Sequence, residues 1–145
     1  MTSPDARLDL ISRAVESIVV WARTFDSHRS FPFGDLQLSR SQVEALFLIV
    51  HADQPVTPGL LASRLDITPG AVTQLVSGLL AAGLVEQHTD PTDARRRVLR
   101  LAPAWQDRVA GFEQDLVREV APRFDALADD ELRTLADLLA RTTSN

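Results

Sequence analysis

Four arginines stand within six residues, at positions 95, 96, 97 and 100. An arginine guanidinium is planar, always charged and able to bind two phosphate oxygens at once. The preceding segment, Thr89–Asp93, is rich in Asp, Pro and Thr, which is typical of a turn. A run of charge is usually only a solvated surface, but its concentration at a turn favours contact with nucleic acid.

The charge of the chain is unevenly distributed. The net charge is −5, and all 15 cationic residues are arginine. Residues 57–101 carry five arginines and four acids, a net +1, which leaves −6 for the remainder of the chain. An acidic body with one basic element is compatible with DNA binding. It predicts weak non-specific affinity, because few phosphates would be neutralised.

A second group of polar and small residues begins at Thr68-Pro69, which is typical of a helix start. Gln74 has the hydrogen-bonding groups to bind an adenine edge, and Ala71 and Thr73 have methyl groups to contact thymine. Gly70 permits close approach of the backbone. An ordinary solvated helix face has similar residues. The candidates for DNA contact are Thr68, Pro69, Gly70, Ala71, Thr73, Gln74 and Ser77.

The elements around these residues form a helix-turn-helix pattern. Thr57-Pro58 opens a short helix to Leu65, and Thr68-Pro69 opens a longer one that ends before Gly83. After Gly83 the apolar residues no longer recur at helical spacing, and the segments 84–88 and 97–101 are predicted to pair as a hairpin. A hairpin directly after a helix-turn-helix is a wing, so the cluster of arginines is predicted to lie on the wing.

Further helices are predicted at both ends of the chain. One spans residues 4–28, one is opened by a capping box at Ser39 and Gln42, and one runs from residue 103 to about 121. Pro122 is expected to interrupt that helix, and Asp129 to cap a last one. The predicted fold is mainly α with a small β-hairpin wing. Its regions are an N-terminal helix and loop (1–38), a winged helix-turn-helix domain (39–102) and C-terminal helices (103–145).

Apolar stripes occur at 8–25, 105–120 and 132–139, and they exceed what the small central domain needs. We expect the terminal helices to pack together and against a second copy of the chain. A bundle within one subunit is the alternative. A two-fold dimer would present two recognition helices to a pseudo-palindromic double-stranded DNA site, with half-sites about one helical turn apart.

Several functional classes are excluded. The chain has no cysteine, no glycine-rich phosphate loop and no nucleophile-elbow serine. His28, His51 and His88 are too widely spaced for a metal site, so no metal, cofactor or enzymatic activity is expected. There is no apolar run of membrane-spanning length and no secretory signal pattern. The expected location is the cytoplasm, without a membrane partner.

The sequence resembles the MarR-type (multiple antibiotic resistance) regulators. The similarity lies in the runs Leu60–Thr73, Leu79–Glu86 and Asp90–Arg95, and the order of elements agrees along nearly the whole chain. The resemblance implies a sequence-specific transcriptional regulator, commonly a repressor. It identifies Asp93 and Arg95 with the Asp-x-Arg motif of the wing, in which Asp93 orients an arginine and Arg95 or Arg96 enters the minor groove. From their positions, Arg97 and Arg100 could bind phosphates or pair with Asp90 and Glu86 across the hairpin.

The resemblance also implies a small aromatic or phenolic effector, held between the dimerisation helices and the DNA-binding domain. The candidates for contact are Trp21, Phe25, His28, Phe31, Phe33 and His51, although most aromatic residues are simply core residues. The alternative function is a winged-helix protein-interaction module without DNA binding. Salt distinguishes the two, because only DNA affinity should fall steeply as salt rises.

Overall fold

A computed structural model describes residues 4–27, 32–33 and 36–143. The described chain is mainly helical, with a single antiparallel hairpin, as predicted. Its elements are α1 (Pro4–Ser27), α2 (Arg40–His51), α3 (Pro58–Leu65), α4 (Pro69–Ala81), β1 (Val85–Thr89), β2 (Arg97–Leu101), α5 (Pro103–Val120), a 3-10 turn (Ala121–Phe124) and α6 (Asp129–Thr143). None of these helices is both long and apolar enough to cross a lipid bilayer.

Internal contacts divide the chain into two compact units, with divisions after residues 31 and 113. The winged unit contains α2, α3, α4, the hairpin and the first part of α5. The terminal unit contains α1, the end of α5 and α6. The winged unit thus includes the start of α5, whereas the sequence placed a domain boundary at residue 102. As a division of function, that boundary stays a prediction.

Side chains at the helix starts explain where the helices of the winged unit begin. Ser39 and Gln42 form the predicted capping box at α2. Thr57 Oγ1 accepts a hydrogen bond from the Leu60 N–H at 3.1 Å, and Thr68 Oγ1 accepts one from the Ala71 N–H at 3.2 Å. Each cap satisfies a backbone donor that has no partner inside the helix. The predicted helix starts of α3 and α4 are confirmed.

The chain turns from α4 into the wing at Gly83, whose φ is +66°. Leu84 N–H donates to Leu79 O and Gly83 N–H donates to Leu80 O, both at 3.0 Å. These two bonds form a Schellman motif, which places its left-handed residue at Gly83. The indole Nε1 of Trp105 donates to Gly83 O at 3.0 Å, which ties the start of α5 to the same turn.

The core of the winged unit joins the helix-turn-helix to the wing. Leu99 N–H donates to Val56 O at 2.8 Å, so the segment before α3 adds one bridge to β2. Branched aliphatic side chains fill the space between these elements. The largest fully buried ones are Leu46, Leu61, Val72, Leu79, Leu84 and Val98. The core therefore fixes the wing relative to α4 within this unit.

Two expectations about the elements need adjustment. Strand β1 covers Val85–Thr89, one residue later than predicted. The prediction that Asp129 caps α6 is wrong, because Asp129 is already the first helical residue. Ala128 is therefore the residue before the helix, and its backbone N–H donates a hydrogen bond to the side chain of Glu131 at 2.9 Å. Glu131 thus supplies the side-chain bond at this helix start. The interruption at Pro122 is confirmed by the 3-10 turn.

Candidate nucleic-acid interface

Helix α4 has one buried face and one exposed face. Val72, Val76 and Leu79 are buried in the core. The seven residues suggested for DNA contact are all exposed, namely Thr68, Pro69, Gly70, Ala71, Thr73, Gln74 and Ser77. The buried residues recur at helical spacing, so packing of α4 against the core leaves its N-terminal end accessible. This is the end that a recognition helix presents to the major groove.

The exposed face of α4 is polar but uncharged. Residues 69–81 contain no Asp, Glu, Lys, Arg or His. The hydroxyl of Thr73 donates to Pro69 O at 3.0 Å, so it is already engaged by its own helix. Within the part of the chain that the structure describes, the amide of Gln74 has no hydrogen-bond partner. Gln74 and Ser77 are therefore exposed side chains of this helix with both a donor and an acceptor to offer, and Gln74 has them on separate atoms, as a bidentate contact requires.

The wing is an antiparallel hairpin of two five-residue strands, in which Val85 faces Leu101 and Thr89 faces Arg97. Its connecting turn is closed by backbone bonds. Asp90 N–H donates to Arg96 O, and Arg96 N–H donates to Asp93 O, both at 2.9 Å. The turn is thus ordered by its own backbone, and it holds the cluster of arginines at a defined place.

Asp90 organises this turn from within. Its side chain is 3% exposed, and its Oδ1 accepts bonds from the N–H and the hydroxyl of Thr92 at 2.8 and 2.7 Å. Arg96 Nη1 lies 3.7 Å from Oδ2. The hydrogen bonds from Thr92 hold the pKa of Asp90 below its ordinary value of 3.8, and the charge of Arg96 adds to this effect, although burial opposes it.

The neighbouring arginines have different partners. Arg96 pairs with Asp90, and Arg97 Nη1 donates to Thr89 Oγ1 at 2.7 Å. Asp93 Oδ1 accepts a bond from the backbone N–H of Arg95 at 3.0 Å. Asp93 therefore positions the backbone of the turn and not a guanidinium. Among the described residues, the guanidinium of Arg95 has no ion pair or hydrogen bond, so it is available for a ligand outside the chain.

Sequence reasoning suggested Asp90 as a partner for Arg97 or Arg100 but missed its role in the turn. In the structure the pairing falls on Arg96. Glu86, which faces Arg100 across the hairpin, contacts His88 at 3.0 Å. The signal was present in the run Asp90-Pro91-Thr92, since an aspartate commonly accepts bonds from the residue two positions on.

The residues suggested for effector contact fall in both units. In the terminal unit, the Trp21 ring stacks with Phe25 at 5.6 Å and with Phe124 at 5.0 Å, and Arg123 lies 5.4 Å from the Trp21 ring. Phe124 and Arg123 were not singled out from the sequence. His28 and Phe31 lie outside the described residues.

Phe33 and His51 belong to the winged unit. Phe33 is 3% exposed and contacts the Trp105 ring at 5.3 Å, so it serves the core. His51 Nε2 lies 2.8 Å from Glu113 Oε1, and its ring lies 4.4 Å from Phe47. A shallow groove between α2, β2 and α5 is lined by Arg100 and Glu113 among others. No pattern in the sequence indicated this groove.

A helix-turn-helix with an exposed recognition helix, followed by an arginine-bearing hairpin, defines a winged helix-turn-helix protein. The model of the MarR family matches residues 36–96, from the segment before α2 to the turn of the wing. The matched region is the winged helix-turn-helix, so this part of the chain is similar to the MarR family of transcriptional regulators.

Two transcriptional regulators are similar to this chain. The chain is 29% identical over 108 residues to an uncharacterised HTH-type transcriptional regulator, YdgJ, of Bacillus subtilis (strain 168), covering 74% of this chain and 65% of that protein. It is 34% identical over 95 residues to a Thauera aromatica protein provisionally named as a transcriptional regulatory protein for the hcr operon, covering 65% and 57%. The matches span less than two thirds of either relative.

The fold also resembles solved structures. A mutant of MepR from a multidrug-resistant S. aureus clinical isolate superposes with a TM-score of 0.71, covering 92% of this chain and 95% of that one. The two sequences are 19% identical, so this similarity supports the fold alone.

Proposed function

We propose that the protein is a homodimeric, sequence-specific DNA-binding repressor that a small aromatic ligand releases from its operator. The observation that carries DNA binding is the exposed, uncharged face of α4 combined with the ordered wing and its available Arg95. The recognition helix would enter the major groove, and Arg95 would enter the adjacent minor groove, where the negative potential is concentrated.

Dimerisation is supported by the exposure of α1. From Asp5 to Phe25, every side chain is exposed except those of Trp21 and Thr24. Ile11, Val15 and Ile18, which lie on one face of this helix, are between 47 and 53% exposed. A contiguous apolar face of this length requires a covering partner. A second copy of the chain would cover it by two-fold symmetry and bring two recognition helices to one pseudo-palindromic site.

Effector binding is supported by the aromatic cluster of the terminal unit. Phe25, whose ring stacks with Trp21, is 44% exposed and offers a stacking face. Arg123 provides a cation beside the Trp21 ring. Such a cluster suits a flat aromatic molecule with an anionic group. A ligand that prefers a dimer geometry unlike the DNA-bound one would weaken DNA binding, and DNA would weaken ligand binding by the same factor.

The first test is fluorescence anisotropy with DNA from upstream of the gene and with a shuffled duplex, at about 50 and about 200 mM salt. We expect tighter binding to the native duplex and a steep loss of affinity with salt. Arg95→Ala should weaken DNA binding about tenfold. It should also reduce the slope of log affinity against log salt concentration by roughly one. Arg133→Ala, an exposed arginine of α6, is the matched control and should leave binding unchanged.

Three outcomes would contradict parts of the proposal. Salt-independent binding, or no DNA binding in a selection from genome fragments, would favour the protein-interaction module. Equal affinities of the Arg95 and Arg133 variants would remove Arg95 from the interface. Aromatic carboxylates and phenols that leave operator affinity unchanged would remove the effector from the proposal, while DNA binding would stand.

A further inference from the structure

The missing charge on α4 limits which bases this helix can recognise. In the major groove, guanine presents two acceptors that arginine or lysine binds best, and cytosine presents a donor that Glu or Asp accepts. Neither kind of side chain occurs in residues 69–81. Adenine presents an adjacent acceptor and donor, which a carboxamide matches, and thymine presents a methyl group. Gln74, Ala71 and Thr73 supply the groups that fit adenine and thymine.

Hydrogen bonds within the helix limit which side chains of α4 can bond to a base edge. Thr68 Oγ1 is bonded to the Ala71 N–H, and the Thr73 hydroxyl is bonded to Pro69 O. With its hydroxyl engaged, Thr73 offers its methyl group to a ligand. Gln74 therefore remains the bidentate hydrogen-bonding side chain of the exposed face, and Ala71 lies one turn before it on the same side.

The backbone at the start of α4 allows close approach to the bases. A Cβ built on Gly70 would meet nothing within 4 Å, so the space beside this residue is open. Gly70 and Gln74 are four residues apart and therefore lie on the same side of the helix. A base edge could thus come near the helix backbone at Gly70 while Gln74 contacts the same groove.

We propose that the recognition helix reads A·T pairs, with Gln74 on adenine and with Ala71 and Thr73 on thymine methyl groups, and makes no guanine contact. The inference rests on the proposed DNA-binding function and specifies its operator. The wing favours the same composition, because A·T tracts narrow the minor groove and attract an inserted arginine such as Arg95. Both grooves of each half-site would therefore select A·T pairs.

The test begins with selection of duplexes from a random library by the wild-type protein. Single base analogues are then placed in the tightest duplex. Replacing the contacted adenine with 7-deazaadenine removes one acceptor and should raise the Kd about tenfold. Replacing thymine with uracil should raise the Kd a few-fold, and 7-deazaguanine should change it less than about twofold at any position facing α4. Gln74→Ala should abolish the 7-deazaadenine effect, whereas Gln114→Ala, at an exposed glutamine of α5, should retain it.

The outcomes separate this inference from the function on which it rests. Selected half-sites whose guanines are sensitive to 7-deazaguanine would overturn A·T recognition while leaving sequence-specific binding intact. A Gln74→Ala variant that keeps the full 7-deazaadenine effect would overturn the assignment to Gln74. Selection of no preferred sequence would overturn both the inference and the proposed function.

Discussion

Asp90 shows how a single residue fixes the geometry of the wing. Only 4% of Asp90 is exposed, yet it carries a charge that Thr92 and Arg96 stabilise. Because its pKa is lower in the folded protein than the ordinary 3.8, ionisation of Asp90 stabilises the fold. That stabilisation is fully present above the unfolded pKa and is lost as the pH falls through the folded one.

We expect Asp90→Asn to loosen the turn at neutral pH, since the amide replaces a charged acceptor of the two Thr92 bonds. It should also remove part of the loss of stability that we expect of the wild type below about pH 4. Amide hydrogen exchange of the hairpin and denaturant unfolding between about pH 3 and 7 would measure both effects. Asp53→Asn, at an exposed aspartate, is the control. If both variants follow the wild-type pH profile, Asp90 does not hold the turn.

Gly83 is a second residue whose role follows from its backbone. Its φ of +66° is costly for any residue with a Cβ, and no neighbour would contact that Cβ. Gly83→Ala should therefore lower the free energy of unfolding by about 1 kcal/mol through backbone strain alone. Gly111→Ala is the matched substitution in α5, where the space is also open, and should stabilise the protein by roughly 0.5–1 kcal/mol. Equal effects at the two sites would exclude the strain argument.

At the scale of elements, α4 serves both stability and recognition. Leu79 is fully buried in its core face, whereas the adjacent Leu80 is 36% exposed. Leu79→Ala should lower the free energy of unfolding by about 2–5 kcal/mol because it leaves a cavity. Leu80→Ala should lower the free energy of unfolding by less than half as much, because the Leu80 side chain is partly exposed to solvent. Denaturant unfolding of both variants measures the difference, and similar losses would mean that the two faces of α4 are not distinct.

The elements were predictable from sequence where local chemistry decides them. Thr57 and Thr68, each followed by proline, specify helix starts, and Gly83 specifies an end, because caps and left-handed turns depend on nearby residues. Asp129 failed as a cap because Glu131 reaches back to the Ala128 N–H and shifts the helix start by one residue.

The candidate site was predictable to a smaller extent. The pattern placed the arginine cluster on the wing, but it could not distinguish Arg95 from Arg96. That distinction depends on Asp90, whose burial arises from packing of the hairpin. Arg123 and Phe124 were missed because their contact with Trp21 joins residues about a hundred positions apart, and periodicity within one helix carries no information on such pairs.

At the scale of the whole molecule, the proposed function depends on a surface that one chain leaves uncovered. Val15 is 51% exposed on the apolar face of α1. In the proposed dimer it is buried twice, once from each subunit. A carboxylate there would be desolvated without a partner, which is strongly unfavourable. Val15→Asp should therefore raise the dimer Kd at least about a hundredfold and leave the winged unit folded.

Sedimentation equilibrium would measure the dimer Kd, and circular dichroism would verify the helical content. Arg23→Asp introduces the same side chain on the polar side of α1 and should leave the dimer intact. Since two half-sites bind together only when the recognition helices are linked, Val15→Asp should also lose tight binding to the full operator while its affinity for an isolated half-site stays weak and unchanged. A Val15→Asp protein that remains dimeric would place the subunit interface elsewhere. A monomeric variant with undiminished operator affinity would instead show that one subunit suffices for recognition.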